Sequence, residues 1–176
     1  MLTRKDREAK INSEIELDPR HYRDAMSRFA GAVHVVNTDG PAGRRGTTVI
    51  AACSVSDNPP MILVCLNRLN PNNELFVENG VFALNTLAGE HQALAAGFSG
   101  LTGLQQDERF SLGRWDAIES GAPTLVDSLA VFDCRLVDSK EVATHRILIG
   151  RVTGLRIGDN ESSLVYLDRG YHTIRR

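Results

Sequence analysis

Gly46-Thr47-Thr48-Val49-Ile50-Ala51-Ala52-Cys53-Ser54-Val55-Ser56 is the stretch on which the fold turns. It is a run of β-branched and small residues with no three- or four-residue apolar spacing, so it reads as strand and not helix. Asn58-Pro59-Pro60 breaks it, and Met61–Leu66 follows as a short, continuously apolar strand. Upstream, the loop Gly40-Pro41-Ala42-Gly43-Arg44-Arg45-Gly46 leads in from Ala32–Thr38, a Val-rich strand that ends in the turn signal Asp39-Gly40. The glycines of that loop are followed by a strand. Dinucleotide and Walker-type loops open a helix, so neither motif is present.

Working outward, Tyr22, Ala25, Met26, Phe29 and Ala30 mark an amphipathic helix with Asp18 as N-cap, Pro19 in its first turn and Gly31 as its stop. Asn70-Pro71 opens a second helix that reaches Gly80, Val81–Leu87 is a strand, and Glu90–Phe98 is a short Ala-rich helix. Ser99–Ser120 is the least regular stretch. Leu125–Val137 reads as a strand, a turn is placed near Ser139-Lys140, and Val142–Ile157 and Leu164–Leu167 are the last two strands. Strands with helices only at intervals indicate a mainly β protein, a barrel with peripheral helices, and not a doubly wound sheet.

With 176 residues the chain has room for one domain, and for two only if both are small. Twenty basic and 22 acidic residues give a net charge of −2, which offers no field for nucleic acid. No apolar run approaches the roughly 20 residues of a membrane span, and the charged Met1–Lys10 is unlike a secretory signal. A cytoplasmic protein is expected. Cys53, Cys65 and Cys134 read as buried thiols, and no ligand spacing suggests a metal.

Several segments together resemble the flavin reductase family with the FMN-binding split-barrel fold. They are Tyr22–Val33, Gly46–Ser56 with Pro59-Pro60, Leu66-Asn67-Arg68, Val81–Asn85, His145–Val152 and Tyr166–His172. Their order and spacing hold from Tyr22 to Ile174, which sets residues 1–18 apart as a polar N-terminal segment from a domain at 19–176. The resemblance implies a split Greek-key β-barrel that forms a homodimer, with NAD(P)H-dependent reduction of FMN or FAD. Reduced flavin would then serve a two-component monooxygenase. Alternatively, a cob(II) corrinoid such as cob(II)yrinic acid a,c-diamide would be reduced beside an adenosyltransferase. A split barrel that binds flavin without reductase activity is the non-enzymatic alternative.

On this resemblance Thr47, Thr48, Val49, Ile50, Ala51, Ala52 and Ser54 fall on the flavin-binding strand and turn. The family often has Ser at the positions of Ile50 and Ala51, so backbone contacts are expected there. Asn67, Arg68 and Asn70 correspond to contacts with the flavin phosphate or ribityl chain, although Asn70 also reads as a helix cap and Arg68 as a loop cation. Phe98 and Ser99 correspond to a segment that approaches flavin. His145 corresponds to a histidine beside the nicotinamide, with the alternative of an ordinary strand polar residue, and Tyr171 lies in a Tyr-His pair at the flavin edge. Arg169 is a candidate for the NADH or NADPH phosphates by its charge. No acid–base set is needed, because the cofactor carries the difficult step.

Overall fold

A computed structural model describes residues 17–175 of the chain. Asp18 caps helix α1 (Pro19–Ser27), accepting the Arg20 N–H at 2.9 Å. The expected first strand is divided into β1 (Gly31–Ala32) and β2 (His34–Thr38). The deciding stretch is likewise two strands, β3 (Arg45–Val49) and β4 (Ala52–Asp57). After β5 (Pro60–Asn67), Asn70 caps a 3₁₀ turn at Pro71–Glu74 that runs into α2 (Leu75–Asn79). Then come β6 (Val81–Thr86), α3 (Gln92–Ser99), α4 (Gln106–Phe110), β7 (Trp115–Asp116) and β8 (Thr124–Leu125). Two hairpins finish the chain: β9 (Ala130–Val142) with β10 (His145–Ile157), and β11 (Ser162–Leu167) with β12 (Gly170–Arg175).

Four sequence expectations are corrected by the structure. Ser139 and Lys140 do not turn. They pair with Leu148 and Ile147, and the turn falls at Ala143-Thr144, where Ala143 takes a φ of 48°. The strand read across Leu125–Val137 begins at Ala130, with Leu125 in β8. A final strand, β12, follows the one read as last, because Asp168 and Arg169 both adopt positive φ and close a tight hairpin. Of the cysteines, Cys134 is buried but Cys53 is exposed, since it sits on the outer side of an edge strand. The expected polar segment falls outside the described residues apart from Leu17 and Asp18.

The main sheet has seven strands in the order β3-β2-β6-β9-β10-β5-β4. Its two edges are consecutive in sequence, joined only by Ile50-Ala51. Laid flat, six inter-strand steps would separate those edges by about 29 Å. The three Cα–Cα steps from Val49 to Ala52 span at most about 11 Å. The sheet must therefore curl until its edges meet, which makes it a barrel. Side chains from all seven strands enter one apolar cluster, among them Val36, Val64, Phe82, Cys134, Leu148, Val49 and Ala52, and Phe76 of α2 closes one end.

A second core lies outside the barrel wall. Val35 points away from Val36 and packs with Leu87, Leu94, Phe98, Leu125 and Leu164. β2 is thus covered on both faces, which is why Val35 to Thr38 are all buried with no in-and-out alternation. The small sheet β1-β11-β12 and the edge-on rings of Phe98, Phe110 and Trp115 complete this layer. Among the described residues no helix is long and apolar enough to cross a membrane, and no cluster of three His, Cys, Asp or Glu is placed to hold a metal.

Gly150 of β10 lies against the Phe82 ring inside the barrel, where a Cβ would stand 2.4 Å from Cζ. Gly150→Ala is expected to lower stability by about 1–3 kcal/mol through overpacking, read as a shift of the urea midpoint. His34 of β2 meets the Thr86 hydroxyl at 3.1 Å, and burial pulls its pKa from 6.5 down to about 4. Its neutral form is the one the fold tolerates, so this residue costs nothing above pH 6.5. Stability then falls as pH drops towards 4, by about 3 kcal/mol in total. Urea unfolding at pH 7 and pH 4.5 should show a smaller drop for His34→Asn than for the native chain.

Candidate active site

Two cavities are candidates, and only the smaller is lined by the Ile50-Ala51 link. The larger, about 760 Å³, opens into the barrel mouth between β4, β6, β9 and β10, and its walls are mostly apolar. The smaller, about 330 Å³, is bordered by β3, the link, the end of β5 and the start of β10. Cavity size alone does not mark a site. The smaller one gathers Thr47, Thr48, Val49, Ile50, Ala51, Asn67 and Asn70, expected from the sequence to contact flavin, and His145, expected beside the nicotinamide. A concave site with several convergent polar groups is where a polar cofactor would be held.

Each wall residue is placed by the local fold. The Thr48 hydroxyl donates to the Ala95 carbonyl at 2.7 Å, which fastens β3 to α3. The Cys65 N–H donates to the Ala51 carbonyl at 2.9 Å and the Ala52 N–H to the Ile50 carbonyl at 3.1 Å, so the link lies against β5. Asn67 ends β5, where its side-chain oxygen accepts the Leu69 N–H at 2.9 Å. His145 stands opposite it across the β10–β5 ladder, with Nδ1 3.0 Å from the Thr144 hydroxyl. Asn70 keeps its cap, accepting the Asn72 N–H at 3.1 Å, and still lines the cavity. Burial, and then the neighbouring Cys53, push the Cys65 thiol up, so it lines the cavity as a neutral thiol.

The other expected residues lie elsewhere. Ala52 and Ser54 face the larger cavity. Arg68 turns outward to Glu141 at 3.2 Å. Phe98 is fully buried and supports β3 from behind, because a Cβ on Gly46 would meet its ring at 2.5 Å. Ser99 is exposed and donates to the Ala96 carbonyl at 2.7 Å. The Tyr171 ring rests on Tyr166 at 5.4 Å between centroids, beside the second core, and burial raises its pKa. Arg169 pairs with Asp24 of α1.

Four wall residues were not among the expected site residues: Cys65 and Leu66 of β5, and the polar pair Arg45 and Asn73. Arg45 is 6% exposed, donating from Nε to Asn73 Oδ1 at 3.2 Å and from Nη1 to Gln106 Oε1 at 2.6 Å. Burial, and then the charge of Arg109, hold its pKa below the usual arginine value. Asn73 in turn donates to the Asn67 carbonyl at 2.8 Å. The adjacent pair Arg44-Arg45 gave no sign of which side chain turns inward. Arg44 instead reaches Asp107 at 2.9 Å and covers the Phe110 ring.

A curled barrel with a polar cavity at its seam, and a buried cation lining that cavity, could hold an anionic cofactor. The family description "Flavin reductase like domain" matches residues 26–175, and the chain belongs to that family, whose members are oxidoreductases. It is 48% identical over 153 residues to the FMN reductase (NADH) RutF of Variovorax paradoxus, covering 87% of this chain and 84% of that one. Among solved structures, BorF, the flavin reductase component of a bacterial two-component tryptophan halogenase, superposes with a TM-score of 0.83 at 28% identity, over 90% of this chain and 99% of that one. The flavin reductase HpaC complexed with NADP+ gives 0.79 at 28%, over 89% and 98%. The expected fold and family are thereby established.

Asn73 ties Arg45 to the end of β5, and its loss would leave a buried guanidinium N–H and a carbonyl without these partners. Asn73→Ala is expected to cost about 1–3 kcal/mol, measured by urea unfolding.

Proposed function

We propose that the chain reduces FMN with NADH, holding the flavin in the polar cavity at the barrel seam. The observation that carries this is the meeting of eight sequence-expected residues, Thr47 to Ala51 with Asn67, Asn70 and His145, around one cavity in a flavin reductase chain. The name of the Variovorax relative supports FMN and NADH as the pair, while HpaC with NADP+ keeps NADPH as a co-substrate to be measured. The residues fit the group: a buried cation for an anion, backbone at the link for a flat ring, and amides and hydroxyls for a polyol chain.

When bound, flavin supplies the redox chemistry, taking up a hydride from the nicotinamide. The chain's part is to hold and orient. Ile50 and Ala51 carry side chains without polar atoms, so contacts at the link come from the backbone. Asn67 and Asn70 present amides at the far wall. His145 is exposed on the rim beside Asn67, and in this reading it meets the second substrate. BorF's role as the reductase component of a two-component halogenase supports delivery of reduced flavin to a separate partner enzyme, for which a monooxygenase is the reading kept here. The comparisons above offer no support for a corrinoid acceptor.

We also propose that the chain works as a homodimer. Helix α1 has no buried residue in the single chain; Tyr22 and Met26 stay exposed on it, and Phe29 is exposed just past its end. Phe29→Glu should shift the sedimentation coefficient towards that of a monomer; a native chain that sediments as a monomer would refute the dimer.

The activity is tested by flavin fluorescence quenching together with NADH oxidation. Micromolar FMN binding and FMN-dependent NADH consumption are expected, and absence of FMN binding would overturn the reading. His145→Ala should raise the KM for NADH about tenfold or more while FMN affinity changes little.

A further inference from the structure

Arg45 is buried in the wall of the polar cavity, and both of its partners there, Asn73 and Gln106, are neutral amides. No carboxylate pairs with it among the described residues. Other arginines do find acids: Arg44 with Asp107, Arg146 with Glu74 and Glu141, and Arg156 with Asp116. A charge removed from water without a counter-charge costs several kcal/mol, and such a group is retained where an anion completes it.

The two amides are themselves fixed. Asn73 donates its NH₂ to the Asn67 carbonyl at 2.8 Å and Gln106 donates to the Gly46 carbonyl at 3.3 Å. With their nitrogens so engaged, both amides turn their oxygens to the guanidinium. Two of its five N–H donors are then used, and the fork is held in place before any ligand arrives. Its chemistry suits a phosphate, which accepts from a planar fork through two oxygens.

Resting on the flavin reading above, we infer that Arg45 binds the terminal phosphate of FMN and is the residue by which this site prefers FMN over riboflavin. The cavity order agrees with that role. Arg45 opens β3 and the link closes it, so one strand runs from the phosphate anchor to the backbone offered to the ring. A pyrophosphate from the nicotinamide dinucleotide has the same chemistry, and the experiment separates the two sources.

FMN and riboflavin are titrated by fluorescence quenching into the native chain, Arg45→Gln and Arg45→Lys, with folding checked by circular dichroism and urea unfolding. The native chain should bind FMN more tightly than riboflavin, and inorganic phosphate should compete with FMN alone. Arg45→Gln should weaken FMN about 10–100-fold and leave riboflavin within about threefold. Arg45→Lys should keep part of the preference, and it carries the test if the glutamine variant fails to fold. Equal weakening of both flavins would overturn the inference in favour of a structural role. So would a raised KM for NADH at unchanged FMN affinity, which would give Arg45 to the nicotinamide dinucleotide. Failure of the native chain to bind either flavin would instead defeat the proposed function itself.

Discussion

Everything in this fold depends on a two-residue connection. Ile50 and Ala51 carry the chain from one edge of a seven-stranded sheet to the other, and no flat sheet can satisfy so short a bridge. Curling the sheet turns one face of each strand into a shared interior. That arrangement allows Val36, Val64, Phe82 and Leu148, far apart in sequence, to exclude water together. The same curl exposes backbone at the seam with only small or apolar side chains beside it. The polar cavity is the outer side of that seam, so the geometry that closes the core also makes the binding surface.

Much of this was legible in the sequence because the local signals were strong. Asp18-Pro19 and Asn70-Pro71 cap helical turns as their chemistry requires, and β5 falls on the strand read at Met61–Leu66. The errors share a physical origin. Thr47–Ser56 reads as one strand because nothing in Val-Ile-Ala-Ala announces a break, and the break comes from closing the barrel, a non-local demand. The Asp168-Arg169 turn was missed because two residues other than glycine take positive φ, held there by the pairing of β11 with β12 on either side. Ser139-Lys140 looked like a turn by composition, yet ladder partners on β10 keep it extended.

The site divides along the same line. Residues on β3, the link and the ends of β5 and β10 converge because the ladder places them side by side. Arg68, carried over from the family resemblance, and Arg169, chosen by charge, find carboxylates at the surface instead. Arg45 was invisible for the opposite reason: its inward turn depends on Asn73 and Gln106, and sequence spacing alone does not bring these three together. Charge by itself says little about function. Charge that burial isolates says much more.

The seam also sets which connections could be given up. Hairpin turns such as Ala143-Thr144 join strands already bonded along a ladder, so severing one leaves both neighbours paired. Ile50-Ala51 joins two strands that share no ladder, and covalent continuity is what brings their edges together. In a circularly permuted chain, new termini at the β9–β10 tip would leave the barrel closed by its own backbone. New termini at the link would release an open sheet with two unpaired edges.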